Sequence, residues 1–429
     1  MADAKRRDIL DDIIDIQHDL GAVRKPLNGV ATQLISDPEK VVRYNASDYK
    51  DRPRANSISC LRSAAGRSDV CNVCVNVCPV NAISFEGSTV KIADNCRKCG
   101  LCIAACPTEA FLAQRQMPKR LYDKIVRTAN IYEECYITCT RALGRLPKEN
   151  EVLLPCIGVM PRELWFALLA DYGNISVYLP LGICDKCRTI TGEKYFSEAI
   201  AAAEEDTPHN VGLEVDEKAL THEESRSYKR KQFISNIAQS STRLVSRKTP
   251  VLAGAQAVAD RLQKHPNQIN SLQRSLEQIA GDKNAQSRRR LLTQKRKLEL
   301  TALQSHPGLA EKMRWEIPAC DVTKCTMCGD CVRACVEHAC QLDAAGHFSV
   351  ESAYCLNCSA CVIACPENAL AMVKADSKDM IVPDPNAKKV EDQKAQIDAA
   401  KKKSKKALKT STKALETFVD ELGKEYSKK

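Results

Sequence analysis

Aromatic side chains make up only 5% of this 429-residue chain, which argues against one large aromatic-packed core. Nowhere do the roughly 18 consecutive apolar residues of a membrane helix occur, so no transmembrane segment is expected. The N-terminus lacks a secretory signal: Asp8, Asp11, Asp12 and Asp15 break the apolar run that should follow Arg6-Arg7. No G-x-G-x-x-G follows a strand pattern, and no G-x-x-x-x-G-K-[ST] loop is present. No nucleophile motif with a partnering histidine emerges either. These absences leave a cytoplasmic chain with no evident reaction chamber.

What is abundant is cysteine, with 23 residues. Such enrichment means disulfides or metal, and a reducing cytosol favours thiolates on metal. The apolar fraction of 44% and charged fraction of 28% suit small metal-stapled domains joined by charged helices. Net charge is +10 and unevenly spread: from Asn386 to Lys429 there are 13 Lys against 7 acidic residues. This tail reads as a solvated helix, with peripheral docking to an acidic partner or anionic surface as the alternative.

The pattern divides the chain into six parts. Residues 1–55 form a helical segment, with Ile9, Ile13, Ile16, Leu20 and Val23 at amphipathic spacing before Pro26. Residues 56–115 are dense in cysteine, and 116–200 hold a second set on an α/β pattern. Residues 201–314 have no cysteine and read as a charged helical linker, with basic stretches at 287–290 and Lys295-Arg296-Lys297. Residues 315–375 are the second dense block, and a lysine-rich helical tail fills 376–429. The expected class is α+β.

Both dense blocks carry one spacing. The second reads Cys325-x2-Cys328-x2-Cys331-x3-Cys335, then Cys355-x2-Cys358-x2-Cys361-x3-Cys365-Pro366. Three cysteines at two-residue gaps let one loop wrap three corners of a 4Fe–4S cubane. The fourth points away and ligates the neighbouring cluster. One cluster then falls on Cys325, Cys328, Cys331 and Cys365, the other on Cys355, Cys358, Cys361 and Cys335. Val336 replaces the usual proline after Cys335, so looser geometry is expected there. In the first block Cys96-x2-Cys99-x2-Cys102-x3-Cys106-Pro107 is complete, but Cys71-x2-Cys74-x3-Cys78-Pro79 has Ser68 in the first position. Either that centre is 3Fe–4S or Cys60 substitutes. The preferred sets are Cys60, Cys71, Cys74 and Cys106, and Cys96, Cys99, Cys102 and Cys78. Structural zinc, the rival, uses two separated pairs and not runs of four. The blocks resemble the bacterial two-cluster ferredoxins, here duplicated, a likeness that implies four 4Fe–4S clusters.

Between them, Cys135-x3-Cys139, Cys156-x-Gly158 and Cys184-x2-Cys187 follow a strand–helix–strand pattern: Val152–Pro155, Glu163–Ala170 and Ile175–Leu179. Cysteines at such turns converge on one edge of the sheet. This segment resembles the delta subunit family of methyl-viologen-reducing hydrogenases, which implies a 2Fe–2S cluster. Zinc or a thiol–disulfide pair at Cys184 and Cys187 are the alternatives, and five cysteines for four places leave one unassigned. Cys320 and Cys340 match no template and read as buried, inert thiols, and His338 as a surface or packing residue.

The chain is therefore expected to be an electron-transfer component, not a catalytic subunit. Its partner would be a flavin-, nickel- or molybdenum-dependent redox protein, in an anaerobic oxidoreductase complex. Two other classes stay open: an oxidoreductase with its own reactive cysteine or cluster site in the middle segment, and a redox-sensing regulatory protein. Nucleic-acid binding is not expected, because the basic stretches lack interleaved aromatics.

Overall fold

The computed structural model describes residues 43–66, 70–225, 228, 272, 292–343 and 345–382, all within one compact unit. The N-terminal helix read at Ile9–Val23, Ser68, the basic stretch at 287–290 and the lysine-rich tail lie outside the described residues.

Two small units share one plan. In the first, β1 (Arg54–Ala55) pairs antiparallel with β4 (Phe111–Leu112), enclosing the hairpin of β2 (Ile83–Glu86) and β3 (Thr89–Ile92). Between the strands run the short helices Val73–Val77 and Leu101–Ala105, which pack on each other. Strands this short bury little, and cysteine supplies part of the interior: Cys60, Cys74, Cys102 and Cys106 pack with Ile83, Val90 and Phe111. A unit of this size depends on staples beyond its apolar core.

The middle of the chain is different. Helix α1 (Pro118–Ile131) leads into a parallel sheet of β5 (Cys135–Cys139), β6 (Glu151–Leu154), β7 (Ile175–Tyr178) and β8 (Gly212–Glu214). The strand order is β6-β5-β7-β8. β5 is central and buried at every residue, as a parallel strand covered on both faces should be. Helices α2 (Arg162–Leu169) and α3 (Thr191–Asp206) pack on one face, with Trp165 and Phe166 of α2 wholly buried, and Leu143, Leu220, Tyr44 and Tyr49 cover Tyr136, Leu153 and Tyr178 on the other. The chain leaves β5 toward β6 on one side and returns to β7 on the other. That reversal opens a crevice at the carboxyl ends of the strands.

Helix α4 (Gln294–Ser305) follows, and its position is the least expected feature of the fold. Lys295 and Arg296, read from sequence as part of a basic stretch, are 4% and 1% exposed, and Glu299 is 0% exposed. Charges survive burial only when paired or hydrogen-bonded: Lys295 Nζ donates to the Ala104 and Cys106 carbonyls, and the other charges form ion pairs. Glu299 accepts from Arg296 Nη1 at 2.6 Å and from Arg162 Nη1 at 2.8 Å, and Arg162 Nη2 reaches Asp206 at 2.5 Å. Arg296 also donates to the Ser352 and Ala353 carbonyls at 2.8 and 3.1 Å, and stacks 4.0 Å over Trp315.

The last unit repeats the first: β9 (Glu316–Cys320) pairs antiparallel with β12 (Leu370–Lys374), around the hairpin of β10 (Cys340–Leu342) and β11 (Phe348–Val350). Its short helices are Asp330–Ala334 and Ala360–Ile363. Among the described residues no helix is long and apolar enough to cross a membrane.

Because one carboxylate serves two buried guanidiniums, Glu299→Gln should cost about 3–5 kcal/mol of stability. Chemical denaturation of the loaded protein measures this. A loss below about 1 kcal/mol, the level of a surface pair, would contradict the burial described.

Candidate metal centres

The four cysteines that end the runs share one local structure. Ala82 N–H points at Cys78 Sγ (3.2 Å), Ala110 at Cys106 (3.3 Å), Ala339 at Cys335 (3.2 Å) and Ala369 at Cys365 (3.3 Å). In each turn the residue before the alanine is left-handed: Asn81, Glu109, His338 and Asn368, with φ between 49 and 53°. His338 thus has a backbone role in a turn and no ligand role is needed to explain it. The looser geometry expected at Val336 is absent, since the Ala339 bond matches its counterparts. The left-handed residue and the N–H···S contact shape the turn, and a proline ring is not required.

The runs of three are equally regular where the sequence is complete. Lys98, Met327 and Asn357 precede the second cysteine with φ of 56, 55 and 51°, and Gly100, Gly329 and Ser359 follow it, also left-handed. The Cys71–Cys74 stretch lacks these residues, and Asn72 there has φ −131°. Cys60 lines one pocket with Cys71, Cys74 and Cys106, beside Phe85 and Phe111.

Cys335, Cys355, Cys358 and Cys361 line a cavity of about 400 Å3, and Cys325, Cys328, Cys331 and Cys365 another of about 350 Å3. Cys78, Cys96, Cys99 and Cys102 lie near enough for their charges to act on one another. Each unit crosses its fourth cysteine into the other loop's set.

Of the five middle cysteines the structure brings four together. Cys139 ends β5, Cys156 follows β6, and Cys184 and Cys187 lie on the loop after β7, all at the carboxyl edge of the sheet. Their charges act on one another, with Cys187 raising Cys139 and both raising Cys156. Backbone N–H groups of Ala142 and Thr189 point at Cys139 and Cys187 at 3.4 Å each. Cys135 is elsewhere: it starts β5, four residues from Cys139, about 13 Å away at a strand's rise. It is buried beside Glu134 and Lys124.

Two thiols escaped the sequence patterns. Cys340 lines the Cys335 cavity and is hydrogen-bonded to the sulfurs of Cys335 and Cys361, pushing its own ionisation up and both of theirs down. Cys320 lines the Cys325 cavity and is hydrogen-bonded to Cys325. Neither is simply an inert core thiol. The available signal was positional, because Cys340 directly follows a Cys-x3-Ala turn, as Phe111 does.

Burial dominates the electrostatics. It pushes the thiols of Cys74, Cys358 and Cys184 up to about 12 and Cys99 to about 11, with neighbouring sulfurs adding to the effect in each. Such groups become thiolates only against a compensating cation. Among the described residues no group of three or more His, Cys, Asp or Glu side chains is placed to hold a single metal ion.

Comparison with known proteins agrees with the first unit. Residues 69–110 match the 4Fe-4S dicluster domain family. A ferredoxin of Methanothermococcus thermolithotrophicus is 40% identical over 43 residues, 10% of this chain and 72% of that protein. An uncharacterized ferredoxin of Methanocaldococcus jannaschii is 45% identical over 42 residues, 9% of this chain and 68% of that protein. Through this segment the chain belongs to the 4Fe–4S dicluster ferredoxins. The matched residues begin just after Ser68, so Cys60 lies outside them. No solved structure matches the chain.

The raised thiols carry a pH dependence in the metal-free protein. Unfolded cysteines ionise near pH 8.5, whereas the folded thiols named above hold their protons past that point. The folded state then binds more protons than the unfolded one, so stability falls as pH rises. Metal-free protein should lose stability from about pH 8.5 upward. Loaded protein should not, because its thiols are already deprotonated on metal. Denaturation midpoints between pH 7 and 10 test this, and a flat metal-free profile would contradict it.

Proposed function

We propose that this protein carries single electrons through four 4Fe–4S clusters and a fifth centre, of 2Fe–2S type, in the middle segment. The observation that carries the reading is the crossing of the ligands. In both units each loop of cysteines is completed by the fourth cysteine of the other, as two-cluster ferredoxins require. Membership of the dicluster ferredoxins supports this for the first unit, and the same turns and spacing extend it to the second.

When bound, such clusters supply one-electron oxidation and reduction. The chain's own residues hold and tune them. The Cys-x3-Ala turns aim a backbone N–H at one sulfur of each 4Fe–4S set, which favours the more negative, reduced state. Phe85, Phe111, Leu370 and Tyr354 border three of the sites and keep water from the sulfurs. In the last unit Cys340 adds a thiol donor to the sulfurs of Cys335 and Cys361.

We read the chain as the electron-relay subunit of a larger oxidoreductase. Its catalytic partner would use a flavin, nickel or molybdenum. The burial of Lys295 and Arg296 also speaks against nucleic-acid binding through that stretch, since both side chains are committed to carbonyls and carboxylates inside the fold.

Iron and acid-labile sulfide per chain test the reading. Anaerobically loaded protein should hold about eighteen irons, against about sixteen for cubanes alone. Cys60→Ser should lose or degrade one cubane, Cys139→Ser should lose the middle centre, and Cys135→Ser should lose nothing. Stoichiometric zinc in the Cys60 set, or full iron in Cys60→Ser, would contradict the assignment.

A further inference from the structure

We infer that the five cysteine sites form one series across the chain, with the middle site at one end and the Cys325 site at the other. The inference rests on the electron-transfer reading above. It adds the order of the sites and the contacts that join them.

The first link joins the middle site to the Cys78, Cys96, Cys99 and Cys102 set. The turn Ile157–Val159, directly after Cys156, lies on the helix Leu101–Ala105 that carries Cys102. The approach is so close that a Cβ on Gly158 would stand 2.4 Å from Leu101 Cδ2, and one on Gly192 would stand 2.7 Å from Cys156 Sγ. On the other side of the site, Thr191 Oγ1 donates to the carbonyl of Val77, the residue before Cys78, at 2.8 Å. Both flanks of the middle site therefore rest on chain that leads into one ferredoxin-like set. Cys99 also acts electrostatically on Cys156.

The second link lies inside the first unit, where Cys78 and Cys106 cross between loops and the two short helices pack together.

The third link crosses between units. Cys71, of the Cys60 set, and Cys358, of the Cys335 set, belong to one apolar cluster with Leu61, Val70, Val336 and Ala360. Helix α4 fixes this junction from behind. Lys295 Nζ donates to the carbonyls of Ala104 (3.0 Å) and Cys106, and the next residue, Arg296, holds Ser352 and Ala353 just before Cys355. The Glu109 carboxylate, three residues past Cys106, accepts from the Gln294 and Lys295 N–H groups at 2.8 and 2.7 Å. Consecutive side chains of one helix thus grip the backbone beside both facing sets. The fourth link is the crossing of Cys335 and Cys365 within the last unit.

Both ends reach the surface: Cys328 is exposed, with Met327 59% and Val322 71% accessible, and Leu181, three residues before Cys184, is 85% accessible. An electron from a one-electron protein donor at one end reaches a one-electron protein acceptor at the other. The donor is oxidised and the acceptor reduced by one electron, and no bond in the chain is made or broken.

Electron paramagnetic resonance on the loaded, reduced full chain tests the order, because neighbouring paramagnetic centres hasten each other's relaxation. Signals are assigned by loss in Cys99→Ser and in Cys358→Ser. Removing the middle centre with Cys139→Ser and Cys184→Ser should lower the half-saturation power of the Cys99-set signal several-fold, and leave the last unit's signals unchanged. Gly158→Val, which keeps every ligand, should shift it in the same direction. Removing the Cys60 set with Cys71→Ser and Cys74→Ser should lower the half-saturation power of the Cys358-set signal in the same way. Unchanged relaxation of the Cys99-set signal, with iron analysis confirming loss of the middle centre, would overturn the series, and so would an unchanged Cys358-set signal. If Gly158→Val does not fold, the paired cysteine variants still decide. A wild-type chain that takes up no iron and sulfide would instead overturn the electron-transfer reading itself.

Discussion

The fold turns on one carboxylate. Glu299 is held between Arg296 and Arg162 with no exposure of its own, and through them it fixes α4 to the parallel sheet domain and to the last cysteine-rich unit. Lys295 and the Glu109 carboxylate tie the same helix to the first unit. A buried ionic cluster is costly to assemble and more costly to break. Its evident result here is geometric: beside the apolar core that α4 shares with the sheet domain and the last unit, the charged cluster fixes where the helix meets each.

A second constraint acts on the cysteines. Their thiols fill space that branched side chains would occupy in an ordinary core, and burial keeps several of them protonated well above the usual range. Metal would relieve both burdens at once by taking up the thiolates and supplying the missing staple, and the repeated N–H···S turns show the backbone already arranged for negative sulfur.

Much of the site could be read from spacing alone. The Cys-x2-Cys-x2-Cys-x3-Cys runs gave three full loops, and the gap at Ser68 pointed back to Cys60, which lines the cavity with Cys71, Cys74 and Cys106. The strand read at Val152–Pro155 runs from Glu151 to Leu154, and that read at Ile175–Leu179 runs from Ile175 to Tyr178. Which middle cysteine stands apart was not legible, because it depends on strand register: Cys135 and Cys139 share β5 but sit at its opposite ends. Helix α4 was hidden for a different reason. A run such as Lys295-Arg296-Lys297 normally marks a solvated face, and only tertiary partners far away in sequence reveal it as interior. Cys340 and Cys320 were missed because their neighbours in space come from other loops.

If one helix joins the cysteine-rich units so that their metal centres follow one another in a line, diffraction from crystals of the loaded protein, recorded at the iron absorption edge, should show it most directly. Anomalous density is expected within all five cysteine sets, with the middle centre beside Cys99 and the Cys71 and Cys358 centres facing each other. Density absent from the middle set, or a last unit whose centres lie away from Cys71, would contradict this line of centres.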